Sequence, residues 1–246
     1  GAVGQNDTIN YSSPVQVSSQ KAWTSIAGTY NGFVAVKTDG TLWSWGRNTN
    51  GQLGQNNTSN LSVATQVGTG TSWSLIATGY YHALATKTDG TLWSWGYNTS
   101  GQLGQNNTTG LSSPVQIGAL TNWSQNAPGN YTSVAIKTNG TLWVWGTNAN
   151  GALGLGDTVA RSSPVQVGAL TTWSKAASNN FSIAVKTDGT LWSWGENGSG
   201  QLGQNNTTNL SSPVQVGADN TWLNVSAGYY TSVAIKSNGT LWAWGN

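Results

Sequence analysis

The side chains that could support catalysis are few and scattered. The chain has one histidine, His82, and no cysteine. Four acidic residues lie outside the recurring turns and are scattered along the chain: Asp7, Asp157, Glu196 and Asp219. A histidine with no cysteine or triad spacing around it provides no activated nucleophile, and scattered acids provide no visible paired-carboxylate hydrolase site. We therefore expect a structural role for His82, no enzymatic activity, no catalytic residue, no metal site and no cofactor.

Most of the basic residues recur at a fixed spacing of 49 or 50 residues: Lys37, Lys87, Lys137, Lys186 and Lys236. A ring of such charges could bind an anion. The alternative, which we favour, is a solvated lysine beside each Asp-Gly or Asn-Gly turn, paired in some repeats with an aspartate such as Asp39.

Charge is scarce in this sequence. Asp, Glu, Lys and Arg make up 7% of the residues and the net charge is +2, whereas about 25% charged residues is typical. Such a chain is poorly equipped to neutralise a phosphate backbone, so we expect no nucleic-acid partner. No apolar run approaches the ~20 residues that span a bilayer. The uncharged Asn/Thr/Ser/Gly-rich composition favours an extracellular, cell-surface or virion protein.

One variable position of the chain favours ligand binding. Each repeat carries Tyr or Asn just before a short apolar run, and these residues differ between repeats. The candidate ligand-binding residues are Tyr30, Asn31, Tyr80, Tyr81, Asn130, Tyr131, Asn179, Asn180, Tyr229 and Tyr230. Tyrosine offers contact area at low entropic cost, and asparagine both donates and accepts. The set suits a protein partner or a glycan; the alternative is that it only caps strand ends.

One ten-residue stretch sets the positions of all these side chains. It reads Lys-Thr-Asp-Gly-Thr-Leu-Trp-Ser-Trp-Gly at residues 37–46, and close copies occupy residues 87–96, 137–146, 186–195 and 236–245. A fixed period of this size indicates an array or a propeller. The first full repeat predicts four strands, A to D, at residues 23–27, 33–37, 41–45 and 64–67. The pair Asp39-Gly40 predicts a two-residue type I′ turn with positive φ at both residues.

Four short antiparallel strands per repeat form the blade of a β-propeller. We predict an all-β fold in which residues 1–246 form a single propeller of five four-stranded antiparallel blades. The predicted blades span residues 23–67, 73–117, 123–167, 173–216 and 222–246. The fifth has no strand D of its own, so the N-terminal strand Ser13–Val17 is expected to complete it and close the ring. A cut from a longer array is the alternative.

Strand alternation assigns the loops to two faces. The A–B and C–D connections emerge on one face, which we call the A–B face, and the B–C turns and D–A connections emerge on the other. The Tyr and Asn candidates are therefore expected around the channel mouth on the A–B face. All 15 tryptophans fall at three repeat positions. Equal placement in every blade favours packing between blades over a sugar-stacking surface.

The pattern Asp-Gly-Thr-Leu-Trp-Ser-Trp-Gly-Xaa-Asn-Xaa-Xaa-Gly-Gln-Leu-Gly, followed by Ser-Pro-Val-Gln-Val, resembles the repeat of the regulator of chromosome condensation family. The resemblance covers nearly the whole chain and implies a β-propeller whose terminal strands share a blade. The eukaryotic founder of that family has seven blades, is a nucleotide exchange factor for a small GTPase and binds chromatin. With five repeats and few charged loop residues, this chain is more similar to the bacterial and phage arrays of the family.

Three functions remain open from the sequence. We favour a non-enzymatic module that mediates protein interaction or assembly, in which an oligomer or a larger assembly is possible. The alternative is a multivalent carbohydrate-binding lectin, which predicts equivalent pockets between blades. A guanine nucleotide exchange factor is less favoured, because it needs a unique charged cluster that the sequence lacks.

Overall fold

The structure, a computed structural model, describes residues 1–19 and 21–246, and every regular element within them is a β-strand. The strands form five sheets that follow one another along the chain. The first four sheets have four antiparallel strands each and the fifth has three. We call these sheets blades 1 to 5. In the described part of the chain, no helix has the length and apolar character needed to cross a membrane.

The strands of each blade follow chain order. Blade 1 contains β1 (Trp23–Thr29), β2 (Gly32–Lys37), β3 (Leu42–Gly46) and β4 (Leu61–Gln66). Blade 2 contains β5 (Trp73–Thr78), β6 (His82–Lys87), β7 (Leu92–Gly96) and β8 (Leu111–Gln116). Blade 3 contains β9 (Trp123–Asn126), β10 (Thr132–Lys137), β11 (Leu142–Gly146) and β12 (Arg161–Gln166). Blade 4 contains β13 (Trp173–Ser178), β14 (Phe181–Lys186), β15 (Leu191–Gly195) and β16 (Leu210–Gln215). Blade 5 contains β17 (Trp222–Ala227), β18 (Thr231–Lys236) and β19 (Leu241–Gly245).

The turn between β2 and β3 differs from the predicted one. The Gly40 N–H donates to the Lys37 carbonyl oxygen at 2.9 Å. Gly40 has a φ of 74°, whereas Asp39 is not among the residues with positive φ. Asp39 Oδ1 instead accepts hydrogen bonds from the Thr41 N–H at 3.0 Å and the Thr41 hydroxyl at 2.6 Å. The type I′ prediction is wrong: the geometry fits a type I turn followed by a left-handed glycine.

The core lies between successive blades. Trp95 of blade 2 is fully buried and shares one apolar cluster with Val34, Val36 and Leu42 of blade 1. Its Nε1–H donates to the Gln52 carbonyl oxygen of blade 1 at 2.9 Å. The corresponding indoles of the next three blades make the same bond: Trp145 to Gln102, Trp194 to Ala152 and Trp244 to Gln201. These repeated tryptophans therefore join each blade to the preceding one, as their equal placement predicts.

The recurring lysines lie against tryptophan rings. Each ammonium lies 3.5–5.0 Å from the centroids of two rings of its own blade. Lys137 is 5% exposed and Lys186 is 8% exposed, so the interpretation as solvated lysines is wrong for these two. Cation–π attraction is the physical reason that an ammonium can lie between apolar rings.

Residues 13–17 form no strand, so the predicted N-terminal strand is absent, and ring closure is not seen in the described residues. The N-terminal segment packs beside blade 1. Its Asn6 N–H donates to the Ser62 carbonyl oxygen at 2.8 Å, and Gln5 Nε2 donates to the Gln16 carbonyl oxygen at 2.6 Å. A strand requires a neighbouring ladder for its backbone groups, and here residues 13–17 have none.

Candidate functional site

The connections between the first and second strands and the long loops after the third strand meet on the A–B face. Within each of the first two blades, a backbone hydrogen bond joins these two loops. The Arg47 N–H donates to the Asn31 carbonyl oxygen at 2.8 Å, and the Tyr97 N–H donates to that of Tyr81 at 3.0 Å. Between blades, the Tyr30 N–H donates to the Tyr80 carbonyl oxygen at 3.0 Å. These bonds fix the position of the aromatic side chains that the loops carry.

Five tyrosines of blades 1 to 3 form a continuous run on this face, which we call the tyrosine run: Tyr30, Tyr80, Tyr81, Tyr97 and Tyr131. The ring centroids of Tyr30 and Tyr80 are 4.4 Å apart, and those of Tyr80 and Tyr81 are 4.5 Å apart. Tyr97 lies 6.0 Å from both Tyr81 and Tyr131 and so connects them. Edge-to-face and tilted contacts at such distances stabilise aromatic pairs.

Sequence reasoning missed Tyr97. It follows the Trp-Gly pair of blade 2, a position that Arg47, Thr147 and Glu196 occupy in other blades. The available signal was that this loop emerges on the same face as the Tyr and Asn candidates and that its first residue also varies. Arg47, at that position in blade 1, lies with its guanidinium carbon 5.7 Å from the Tyr30 ring centroid.

A cavity of ≈370 Å³, which we call the central cavity, opens beside the tyrosine run. All five blades line it: Gly28, Thr29, Tyr30, Thr78, Gly79, Tyr80, Pro128, Gly129, Asn130, Ser178, Asn179 and Ala227. Three of the lining oxygens are buried without a hydrogen-bond partner: Thr29 Oγ1, Asn130 Oδ1 and Asn179 Oδ1. Buried polar atoms are normally satisfied. The wall of the cavity therefore contains buried acceptors that have no hydrogen bond.

The remaining predicted residues lie outside this arrangement. Tyr229 and Tyr230 of blade 5 form a separate pair, with centroids 4.5 Å apart and 47% and 39% exposure. Asn31 is exposed, and its carbonyl oxygen accepts the loop bond from Arg47. The Asn180 carbonyl oxygen accepts from the Glu196 N–H at 3.3 Å. The structure thus brings Tyr30, Tyr80, Tyr81 and Tyr131 into the tyrosine run and places Asn130 and Asn179 in the wall of the central cavity. Tyr229 is near enough to Tyr131 to raise its pKa.

Two members of the tyrosine run, Tyr80 and Tyr131, have raised pKa values. Burial, followed by a hydrogen bond with Tyr30, raises the pKa of Tyr80 to about 12. Burial also raises the pKa of Tyr131, and its tyrosine neighbours add to that effect. These two phenols therefore keep their protons and can donate as well as accept hydrogen bonds. Recognition at this face would depend on aromatic area and hydrogen bonding.

His82 is part of the blade interior. Its side chain is fully buried, and Nε2 lies 2.9 Å from Ser133 Oγ. Since the Ser133 hydroxyl donates to the Gln102 carbonyl oxygen at 2.8 Å, His82 Nε2 must carry the proton and donate. Burial lowers the pKa of His82 to about 3, so the ring is neutral and joins blades 2 and 3. Among the described residues, no three His, Cys, Asp or Glu side chains are grouped as metal ligands would be.

Comparison with known families covers the whole chain. Residues 1–222 match the RCC1-like domain, and residues 222–246 match the regulator of chromosome condensation (RCC1) repeat. The chain belongs to the RCC1-like family. A search of curated proteins gives no match to this RCC1-like chain.

Solved structures share the fold of this RCC1-like chain. Human WBSCR16 is 20% identical with a TM-score of 0.83, and the match covers 94% of this chain and 64% of that one. Yeast RCC1 (Prp20), in a complex with Kap60, is 21% identical with a TM-score of 0.79, covering 90% and 55%. A second structure, of Prp20p from Saccharomyces cerevisiae, is 22% identical with a TM-score of 0.78, and the match covers 90% of this chain and 57% of that one. The chain has an RCC1-like propeller fold and spans 55–64% of the length of these proteins.

Proposed function

We propose that this RCC1-like chain is a non-enzymatic binding module that takes a protein partner on its A–B face. The observation that carries the proposal is the tyrosine run beside the central cavity. Tyrosine rings present large, rigid contact area and a polar tip, the combination enriched at protein interfaces. The adjoining unpartnered oxygens of Thr29, Asn130 and Asn179 would accept backbone or side-chain donors of a partner.

Related proteins support a protein ligand as the partner class. Yeast RCC1 (Prp20) has been crystallised with Kap60, and Prp20p has been studied for its binding to Gsp1p and histones. Those partners belong to those proteins. Nucleotide exchange is a less favoured function for this chain, because only 7% of its residues are charged. We further propose an extracellular, cell-surface or virion location, for which the uncharged surface composition is the support.

The experiment is a selection of displayed peptides on the intact chain, followed by affinity measurement with two variants. One variant replaces Tyr30, Tyr80, Tyr81 and Tyr131 by alanine, and its matched control replaces them by phenylalanine. We expect the alanine variant to weaken binding at least about tenfold, which corresponds to ~1.4 kcal/mol. The phenylalanine control, which retains the rings, should keep most of the affinity. Equal binding by the intact chain and the alanine variant would refute a site on the A–B face.

A glycan is the second candidate ligand for the same face. The buried acceptors of the central cavity, next to aromatic rings, would suit sugar hydroxyl groups as donors. A glycan array tests this with the intact chain and a Tyr80→Ala/Tyr81→Ala/Tyr229→Ala/Tyr230→Ala variant. Saturable binding that the variant loses while it remains folded would support the lectin function. Absence of binding by the intact chain would reject it for the sugars present.

We also propose that residues 11–16 can pair with β19 and complete blade 5, which would close the ring or join two copies. In blade 1, Trp43 pairs with Gln66 and Ser44 with Thr65, while Gly46 pairs with Leu61. The same repeat positions give the register Trp242 with Gln16, Ala243 with Val15 and Gly245 with Tyr11. β19 has a free edge in the described residues, and strand edges readily pair.

The chain's lack of cysteine permits a direct test of this register. A Val15→Cys/Ala243→Cys variant should form a disulfide on mild oxidation, because directly opposed strand residues have the required Cβ separation. A monomeric product would indicate ring closure, and a covalent dimer would indicate pairing between copies. The out-of-register control Val15→Cys/Leu241→Cys should oxidise more slowly. Failure of the first pair to oxidise faster than the control would refute the pairing.

A further inference from the structure

Clefts of similar form lie between successive blades, each lined by the loop after the third strand of one blade and by strands of the next. One is at the junction of blades 1 and 2 and another at the junction of blades 3 and 4, each with a volume of ≈420 Å³. We call these two the rim clefts. Corresponding residues line them: Gly70, Trp73, Lys87, Trp93 and Pro114 in the first, and Leu170, Trp173, Lys186, Trp192 and Pro213 in the second. The central cavity shares no residue with either, so they are sites separate from the proposed partner surface.

Each rim cleft contains a cation without a carboxylate partner. Lys87 Nζ lies 4.8 Å and 3.8 Å from the ring centroids of Trp73 and Trp93. Lys186 Nζ lies 5.0 Å and 3.5 Å from those of Trp173 and Trp192. Within the described residues, neither ammonium has a carboxylate oxygen at salt-bridge distance. The rings hold each ammonium, but they leave its hydrogen-bond donors available to a ligand.

An unsatisfied indole donor adjoins each of these cations. The Nε1 atoms of Trp73 and Trp173 are buried without a hydrogen-bond partner, and the two side chains are 6% and 3% exposed. A Cβ added at Gly70, which lines the first cleft, would lie 3.4 Å from Trp73 Nε1. The clefts therefore place open space beside a positive charge, which suits an anionic group. The buried indole N–H is not specific to these clefts, since Trp222 Nε1 in blade 5 is also without a partner although Asp219 lies beside Lys236.

The fifth repeat shows which group fits beside this lysine. Asp219 occupies the repeat position of Gly70 and Leu170. Its Oδ2 lies 2.5 Å from Lys236 Nζ, while that ammonium remains 4.7 Å and 4.1 Å from the centroids of Trp222 and Trp242. A carboxylate can thus join the lysine without displacing it from its two rings. In blades 2 and 4 the corresponding position beside the lysine holds no acid.

We propose that the two rim clefts bind the carboxylate groups of an acidic polysaccharide, with Lys87 and Lys186 as the cations that recognise them. Gln55, Asn56 and Ser113 also line the first cleft. Ser113 Oγ donates to Asn56 Oδ1 at 3.0 Å and Gln55 Nε2 donates to Ser44 Oγ at 3.0 Å, so their remaining hydrogen-bonding capacity would serve sugar hydroxyl groups. A polymer of identical sugar units presents carboxylates at regular intervals. It suits sites that recur at a fixed repeat position, because carboxylates of one polysaccharide could occupy both rim clefts of one protein molecule at the same time.

The experiment is isothermal titration of the intact chain with an oligogalacturonate at low ionic strength, alongside the neutral oligogalactose of matched length. Two double variants accompany it. Gly70→Asp/Leu170→Asp copies the fifth repeat and should occupy both lysines, whereas Gly70→Asn/Leu170→Asn adds a side chain of the same shape without the charge. Gly70 is exposed and Leu170 is 47% exposed, so both variants should fold. A Tyr80→Ala/Tyr81→Ala variant reports on the A–B face.

We expect the intact chain to bind the uronate oligomer, to bind the neutral oligomer at least about tenfold more weakly, and to lose affinity as salt rises. The aspartate variant should bind the uronate at least about tenfold more weakly, and the asparagine variant within about threefold of the intact chain. The tyrosine variant should bind normally. No uronate binding, equal affinity for the neutral oligomer, or an unaffected aspartate variant would overturn the proposal. An oligoglutamate peptide serves as a second anionic probe, and tighter binding of this peptide than of the uronate oligomer would also overturn the proposal. Loss of uronate binding in the tyrosine variant alone would overturn it as well.

Discussion

Blade 5 has nearly the same sequence motifs as blade 2, yet its residues are in a different environment. Leu92 is fully buried in blade 2, whereas its counterpart Leu241 is 67% exposed. Leu42, Leu142 and Leu191 are as buried as Leu92. The difference arises because the leucine of each of the first four blades is covered by the blade that follows, whereas among the described residues no following blade covers β19. A repeat of this family is therefore not a self-contained folding unit, since its apolar face is completed by its neighbour.

The largest expected difference between the two blades is the effect of shortening this leucine. Leu92→Ala removes buried methyl groups and leaves a cavity, so we expect the free energy of unfolding to fall by about 2–5 kcal/mol. Leu241→Ala should lower it by less than about 1 kcal/mol, because the side chain is largely in water. Denaturant unfolding of both variants measures the difference. Equal losses would mean that Leu241 is covered in solution, as closure of the ring through residues 11–16 would require.

A second difference concerns the turn glycine. Gly90 and Gly239 have φ values of 77° and 84°, so alanine at either position should cost about 1–2 kcal/mol for the left-handed backbone. A Cβ at Gly90 would also clash with the Thr121 carbonyl oxygen, whereas one at Gly239 would meet open space. We expect Gly90→Ala to destabilise by about 1–3 kcal/mol more than Gly239→Ala. Thermal and denaturant unfolding compare them, and equal effects would show that the blade 5 turn is also covered.

The smallest effect concerns Asp219, the acid of the fifth repeat that forms a salt bridge with Lys236. The hydrogen bond from Lys236, followed by that from Thr221, lowers the pKa of Asp219 to about 2. Because the folded-state pKa lies below the unfolded value of about 3.9, this interaction stabilises the fold fully above that value. The stabilisation is lost as the pH falls towards 2. A carboxyl NMR titration should give a midpoint near 2, and Lys236→Gln should raise it; an unchanged midpoint in that variant would refute the pairing.

The sequence repeat predicted the number and order of the strands in the first four blades, but it predicted the residues at which they begin and end less well. The second strand was expected at residues 33–37 and occupies Gly32–Lys37. The fourth was expected at residues 64–67 but begins at Leu61, because Gly46 pairs with Leu61 across a register shift. Local propensity does not reveal such a shift, since it depends on the neighbouring strand. Similarly, the Asp-Gly pair predicted a turn, but the bonds from Thr41 to the Asp39 carboxylate selected a different turn type.

The candidate site was predictable at the level of its face. Strand alternation placed Tyr30, Tyr80, Tyr81 and Tyr131 on one side, and the structure brings them together. Tyr97 was missed because it belongs to a different loop, 16 residues beyond Tyr81 in the sequence. The sequence interpretation of the five recurring lysines considered only their charge. No neighbouring residue in the sequence indicated that two tryptophan rings would lie against each ammonium. The place of Tyr97 in the tyrosine run and the position of the lysines both depend on contacts between residues that are distant in the sequence.

The sequence by itself determined the all-β fold, the 49- or 50-residue repeat, the family and the tryptophans that join the blades, because each depends on a period that recurs five times. Tertiary structure decided which copies of a motif are buried and which tyrosines meet. Those properties depend on what covers each blade, and closely similar motifs in blades 2 and 5 cannot encode that difference. Burial is a property of a residue together with its neighbours in space.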